Sequence, residues 1–208
     1  MILYKLKKLG IVFLLFLLPN VIYAFLALFL SFNRNIQFDL ADTISLTALF
    51  WIPFIYLYFK KSHLTFDFFK SIPQWKMSIL SILMGIIYAS GSLLCNYLFW
   101  GRFPQVPNLS ILFILGSFLA APFVEELFFR RWISCYMEKH GFSYIYIMII
   151  SSFLFYFIHW LPMTERFWYY RIDTFIMGLL QFCLYRKTKD IRYCIIAHIS
   201  TSVFVNCF

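Results

Sequence analysis

Two adjacent glutamates and an arginine, Glu125, Glu126 and Arg130, follow directly on an almost pure hydrocarbon run from Leu109 to Val124. His159 and His198 interrupt two later apolar runs in the same way. An ionisable group at membrane depth costs about 2.5–3.5 kcal/mol on insertion scales. A chain that accepts this several times over uses those groups together, in a polar cavity between helices. Carboxylate, arginine and two imidazoles suggest hydrolysis.

Helical spacing separates the two glutamates. At about 100° per residue, Glu126 and Arg130 stand four apart and share a face, which permits an ion pair. Glu125 is turned about 100° from Glu126 and about 140° from Arg130. The paired carboxylate suits structure. The other lacks a local counter-charge in low dielectric, can take up a proton, and has the profile of a general base acting on water. A blander reading leaves both at the cytoplasmic interface beside Arg130 and Arg131, but it does not explain the histidines. Phe155 precedes His159 by four, so its ring can pack beneath the imidazole. Ser202 shares a face with His198, and Asn206, eight residues on, is about 80° away. Each histidine is weak evidence alone; the three elements on three spans are stronger together.

Membrane-spanning helices must position these groups. The chain is 62% hydrophobic and only 13% charged, against about 25% charged in a soluble domain. A helical span takes about 20 apolar residues. Seven are read: Leu9–Phe32, Ser45–Phe59, Met77–Trp100, Leu109–Phe129, Phe142–Leu161, Phe167–Tyr185 and Tyr193–Phe208. The fold class is therefore all-α, one polytopic transmembrane bundle over residues 1–208. Lys5, Lys7 and Lys8, then Lys60, Lys61, Lys70 and Lys76, then Arg130, Arg131 and Lys139, and finally Arg186, Lys187, Lys189 and Arg192 fall on alternate sides from Arg34, Arg102 and Arg166. By the positive-inside rule the amino terminus is cytoplasmic and the carboxyl terminus outside. The net charge of +9 then needs no nucleic-acid partner; the partner is the bilayer. Trp75, Trp100, Trp160 and Trp168 fall near span ends, as interfacial tryptophans do.

The basic start and the apolar run to Tyr23-Ala24 also fit a cleaved signal peptide. The run continues through Leu30 without a small-x-small site, which favours a retained first helix. Five cysteines without Cys-x-x-Cys spacing indicate packing residues, not a disulfide framework or zinc knuckle. Asn20 reads as a helix-packing residue. Asp173 and Arg171 are two apart and cannot pair on one face.

One tension is depth. As drawn, Glu125 lies toward the cytoplasmic end of span four and His159 near the outer end of span five, an offset of roughly 10 Å or more. A fourth helix kinked at Pro122 and continuing towards Met137 would remove it.

Glu125-Glu126-x-x-x-Arg130, Phe155-x-x-x-His159 and His198 in the last span resemble the three ordered motifs of the CPBP intramembrane proteases. That family includes type II CAAX prenyl endopeptidases and bacteriocin-processing and immunity proteins. The resemblance covers Leu109 to Asn206, about half of the chain. It implies that Glu125 activates water with His159, that His198 and an asparagine on its helix stabilise the oxyanion, and that Glu126 and Arg130 support the site. The family usually carries asparagine four after the last histidine. Here Ser202 stands there, and Asn206 would substitute if the helix were irregular.

The expected function is an intramembrane endopeptidase, dependent on glutamate, that cuts a membrane-associated substrate or a peptide precursor in a bacterial inner membrane. No cofactor is expected, although two histidines and a glutamate are also a catalytic zinc set; no His-Glu-x-x-His motif is present. Two other classes are a non-catalytic immunity or scaffold protein of the same family and a proton-coupled transporter. The latter calls for inverted repeats, which are not visible.

Overall fold

The computed structural model describes residues 2–34, 40–62, 72–100, 111–160 and 172–207. The expected boundaries at Leu109, Leu161, Phe167 and Phe208, with Lys70, Arg102, Arg166, Trp168 and Arg171, lie outside them. Among the described residues all regular structure is helical, in seven rods. These are α1 (Ile2–Arg34), α2 (Leu40–Ser62), α3 (Trp75–Trp100), a composite α4 beginning at Ile111 and ending at Lys139, α5 (Tyr144–Trp160), α6 (Ile172–Thr188) and α7 (Ile191–Cys207). Helices α1 over Ile2–Phe25 and α3 over Trp75–Cys95 are long and apolar enough on their own to cross a membrane, and Tyr144–His159 is a shorter apolar stretch. The outside of the bundle is hydrocarbon: Phe25, Ile87 and Leu98 are each 70% exposed. Such a surface suits lipid as solvent, because every backbone group within a helix is already paired.

The fourth rod differs from its expected span. It does not stop at Phe129 but continues to Lys139, and it turns π-helical twice. Ile114–Ala120 is π-helical, Ala121–Glu126 is α-helical, and Leu127–Trp132 is π-helical again. Pro122, at the start of the short α segment, has no N–H to give to the preceding turn. Such wide turns re-aim the side chains that follow and recur at functional sites. The extension also resolves the depth offset. Glu125 lies fourteen residues from Lys139, and His159 fifteen from Tyr144 across the short connecting turn. Both are then roughly 21–22 Å from that common end.

That turn is well defined. Gly141 takes φ +74°, its N–H donates to the Glu138 carbonyl, and the Phe142 N–H donates to Met137. This pair of bonds closes the helix end with a glycine in the left-handed region. Helix α1 is tied to the same turn by Lys5 Nζ to the Gly141 carbonyl at 2.7 Å and by Tyr4 Oη to His140 Nδ1 at 2.8 Å. On the same side of the bundle, where Arg186 pairs with Glu138 at 2.8 Å, Asp190 caps α7 by accepting the Arg192 N–H at 3.0 Å.

Helices α1, α2 and α4 meet through aromatic rings: Trp51 and Phe128 at 4.9 Å, Tyr58 and Trp132 at 5.3 Å, Phe16 and Phe128 at 6.3 Å. Asn20 behaves as expected, accepting from Trp51 Nε1 at 3.3 Å. Helices α3 and α7, and α5 and α6, meet through small residues. Gly178 lies against Ser152, where an added Cβ would fall 2.9 Å from the serine Cα, and Gly85 lies directly on the Ala197 carbonyl. Since Ala197 precedes His198, this contact sets the position of the last histidine. Gly85→Ala should destabilise by about 1–3 kcal/mol, because backbone cannot yield as a side chain does. Thermal unfolding in detergent checks this against Gly91→Ala, on the same helix with open space around it, whose midpoint should not fall.

Candidate active site

The two glutamates sit in the middle of α4, and the histidines near the end of α5 and in the first half of α7. Glu126 and Arg130 form the expected pair, Oε2 to Nε at 3.2 Å, with both side chains fully buried. Arg130 also stacks on Phe155, its Cζ 4.2 Å from the ring centroid, a cation–π contact strengthened by desolvation.

Glu125 points elsewhere, as the spacing predicts. Its Oε2 lies 3.8 Å from His159 Nε2 and 3.9 Å from His198 Nε2, and it accepts no hydrogen bond among the described residues. These separations exceed a direct hydrogen bond. They suit three groups that share one small molecule rather than one another. Glu125 is 15% exposed and His159 26%, so this side of the cluster is the accessible one.

Partner chemistry assigns the imidazole protons. His159 Nδ1 lies 2.9 Å from the Phe155 carbonyl, which only accepts, so Nδ1 carries hydrogen and Nε2 is the nitrogen turned to Glu125. His198 Nδ1 lies 2.9 Å from Glu126 Oε1 and by the same logic donates to it, leaving Nε2 towards Glu125. His198 thus bridges the two glutamates. Sequence reasoning missed that bond, because a contact between α4 and α7 has no local signal. It also understated Phe155. The ring lies 4.6 Å from His159, as expected, but also 5.7 Å from His198 and against Arg130. One fully buried ring therefore sets the spacing of three polar side chains.

Ser202 and Asn206 stand one and two turns beyond His198 on a helix that remains regular to Cys207. Asn206 Nδ2 donates to the Ser202 carbonyl at 2.7 Å. Among the described residues no hydrogen bond joins either side chain to the glutamate–histidine cluster. Asp173, unplaced by sequence, accepts from Ser92 Oγ at 2.6 Å. No group of three or more His, Cys, Asp or Glu side chains among the described residues is placed to hold a metal ion.

A bundle of apolar-faced helices enclosing a buried carboxylate, arginine and imidazole cluster defines an all-helical membrane protein with a polar interior site. Residues 107–204, just under half of the chain, match the family model described as Type II CAAX prenyl endopeptidase Rce1-like. This is the family that the three motifs resemble, and it is a family of proteases. The matched segment holds Glu125, Glu126, Arg130, His159, His198 and Ser202, and ends before Asn206. No curated protein and no solved structure matches.

Proposed function

We propose that the protein is an intramembrane endopeptidase in which Glu125 activates the hydrolytic water. One observation carries the reading: a carboxylate oxygen that accepts no hydrogen bond among the described residues and lies within 4 Å of imidazole nitrogens from two other helices. Water held at Glu125 Oε2 and His159 Nε2 gives its proton to the carboxylate as its oxygen adds to the scissile carbonyl carbon. The proton then passes to the leaving nitrogen as the carbon–nitrogen bond breaks. In its imidazolium form His198, whose Nδ1–H is held by Glu126, donates from Nε2 to the oxyanion. Glu126 and Arg130 keep that imidazole in place. The substrate is a membrane-associated protein or peptide precursor, and the setting a bacterial inner membrane crossed seven times with the amino terminus cytoplasmic.

Protein in lipid vesicles, given a library of membrane-tethered peptides in ¹⁸O-water, should yield a product whose new carboxyl carries one heavy oxygen. Folded protein that cuts no member of the library would sink the proposal. Loss of cleavage in chelator would replace the metal-free mechanism with the zinc variant.

A second reading rests on Asn206. Its amide is committed to the Ser202 carbonyl, and the family asparagine is replaced by Ser202, which favours a non-catalytic immunity or scaffold protein. The two side chains also separate within the catalytic reading. If Ser202 fills the oxyanion position, Ser202→Ala should lower turnover by about 10²-fold and Asn206→Ala little. The reverse pattern moves the role to Asn206.

A further inference from the structure

Every peptide bond broken consumes one water, its hydroxyl going to the acyl carbon and its remaining proton to the nitrogen. The glutamate–histidine cluster is largely enclosed by helices whose outer faces are hydrocarbon, so water ordered inside the bundle serves it best. The junction of α3, α6 and α7 holds a small crevice. Met84, Met177 and Leu180 form its apolar sides, and Tyr88, Gln181 and Thr201 bring polar groups to it. Gln181 is 1% exposed, and its Oε1 accepts no hydrogen bond among the described residues. Leaving a buried amide oxygen unpaired costs about 1–3 kcal/mol, so the crevice calls for a donor.

Its size and lining select the donor. A buried water makes two to four hydrogen bonds and needs little more room than itself. Thr201 Oγ1 gives its single proton to backbone carbonyls, 3.0 Å from Ala197 and 3.2 Å from Gly85, and keeps acceptor capacity for a visitor. The crevice also lies on a polar line. One turn away on α3 and α6, Ser92 donates to Asp173, whose Oδ1 is likewise buried and without a hydrogen bond among the described residues. In the other direction Thr201 is three residues past His198, a rise of about 4.5 Å.

We infer that the α3–α6–α7 crevice is an ordered-water site, held by Gln181 and Thr201, that replenishes the water used at Glu125. The inference rests on the hydrolytic reading for the water's use, but not for its presence.

X-ray radiolysis of the full-length protein in vesicles reports that presence directly, because bound water oxidises the side chains it touches. Met84 and Met177 should be oxidised at least tenfold faster than Met137, which is fully buried and does not line the crevice. Gln181→Leu should reduce both rates towards that of Met137. It should also lower kcat by roughly tenfold, about one hydrogen bond's worth, with KM unchanged. Met177→Phe fills the crevice while leaving the amide in place, and should suppress Met84 oxidation even if the leucine variant fails to fold. Oxidation at the Met137 level in the wild type, or rates unaffected by both variants, would overturn the inference. So would a raised KM with an unchanged footprint, which would make the crevice a substrate contact. A footprint as expected in a protein that cleaves nothing would leave the water site standing and remove the protease reading.

Discussion

Glu125→Gln should reduce peptide hydrolysis by about 10²–10⁴-fold, the range for a positioned general base, and leave the unfolding midpoint near wild type. The two halves of this result come from one piece of geometry. Glu125 Oε2 makes no hydrogen bond among the described residues, and its imidazole neighbours stand 3.8 and 3.9 Å away. An amide of the same shape therefore breaks no direct contact, while it removes the group that accepts the water's proton. Turnover of the purified variant, measured beside its thermal unfolding, checks both. Wild-type turnover would make the glutamate-base mechanism wrong. Lost turnover with a collapsed midpoint would assign Glu125 to structure instead.

Glu126→Gln should behave in the opposite way, destabilising by about 3–5 kcal/mol because it leaves Arg130 buried and uncompensated. Arg130 and Glu126 are fully enclosed, and Glu126 also holds His198 Nδ1 at 2.9 Å. Activity should fall with stability as the imidazole exchanges its charged acceptor for a neutral amide. The double variant Glu126→Gln, Arg130→Met separates the effects. Replacing both charges removes the unpaired one, so much of the stability should return, whereas activity should not, because a neutral amide no longer stabilises the charged His198 imidazole. Equal recovery of both in the double variant would show that the pair acts only through folding. Denaturant unfolding and initial rates on the same preparations supply the comparison.

The contrast between neighbouring glutamates was legible in the sequence because it is local. Helical spacing alone puts Glu126 with Arg130 and turns Glu125 away, and Phe155 under His159, since residues four apart share a face whatever surrounds the helix. Seven helical rods could likewise be read from apolar runs separated by basic loops. For the end of the fourth the signals were divided: Arg130 and Arg131 read as a cytoplasmic boundary, while the depth offset called for a helix running on towards Met137, and it continues to Lys139. Charge marks a boundary only when it faces water, and Arg130 is instead sealed by Glu126 and the Phe155 ring.

Only tertiary packing decided the rest. The paired π segments around Ala121–Glu126 set which way the glutamates face, and hydrogen-bond phase within a helix is not written in side-chain periodicity. The meeting of His198 with both glutamates depends on α3 lying close to α7 at Gly85, a glycine whose sequence context is otherwise ordinary apolar helix. Gln181, in a chain of mostly apolar helices, reads as one more packing amide until its buried oxygen is found without a donor among the described residues. Residue type and local spacing identified the chemical groups, because these are properties of one helix. Which groups converge, and which polar atoms remain unsatisfied, depend on distances between helices far apart in the chain, and those distances exist only once the bundle has formed.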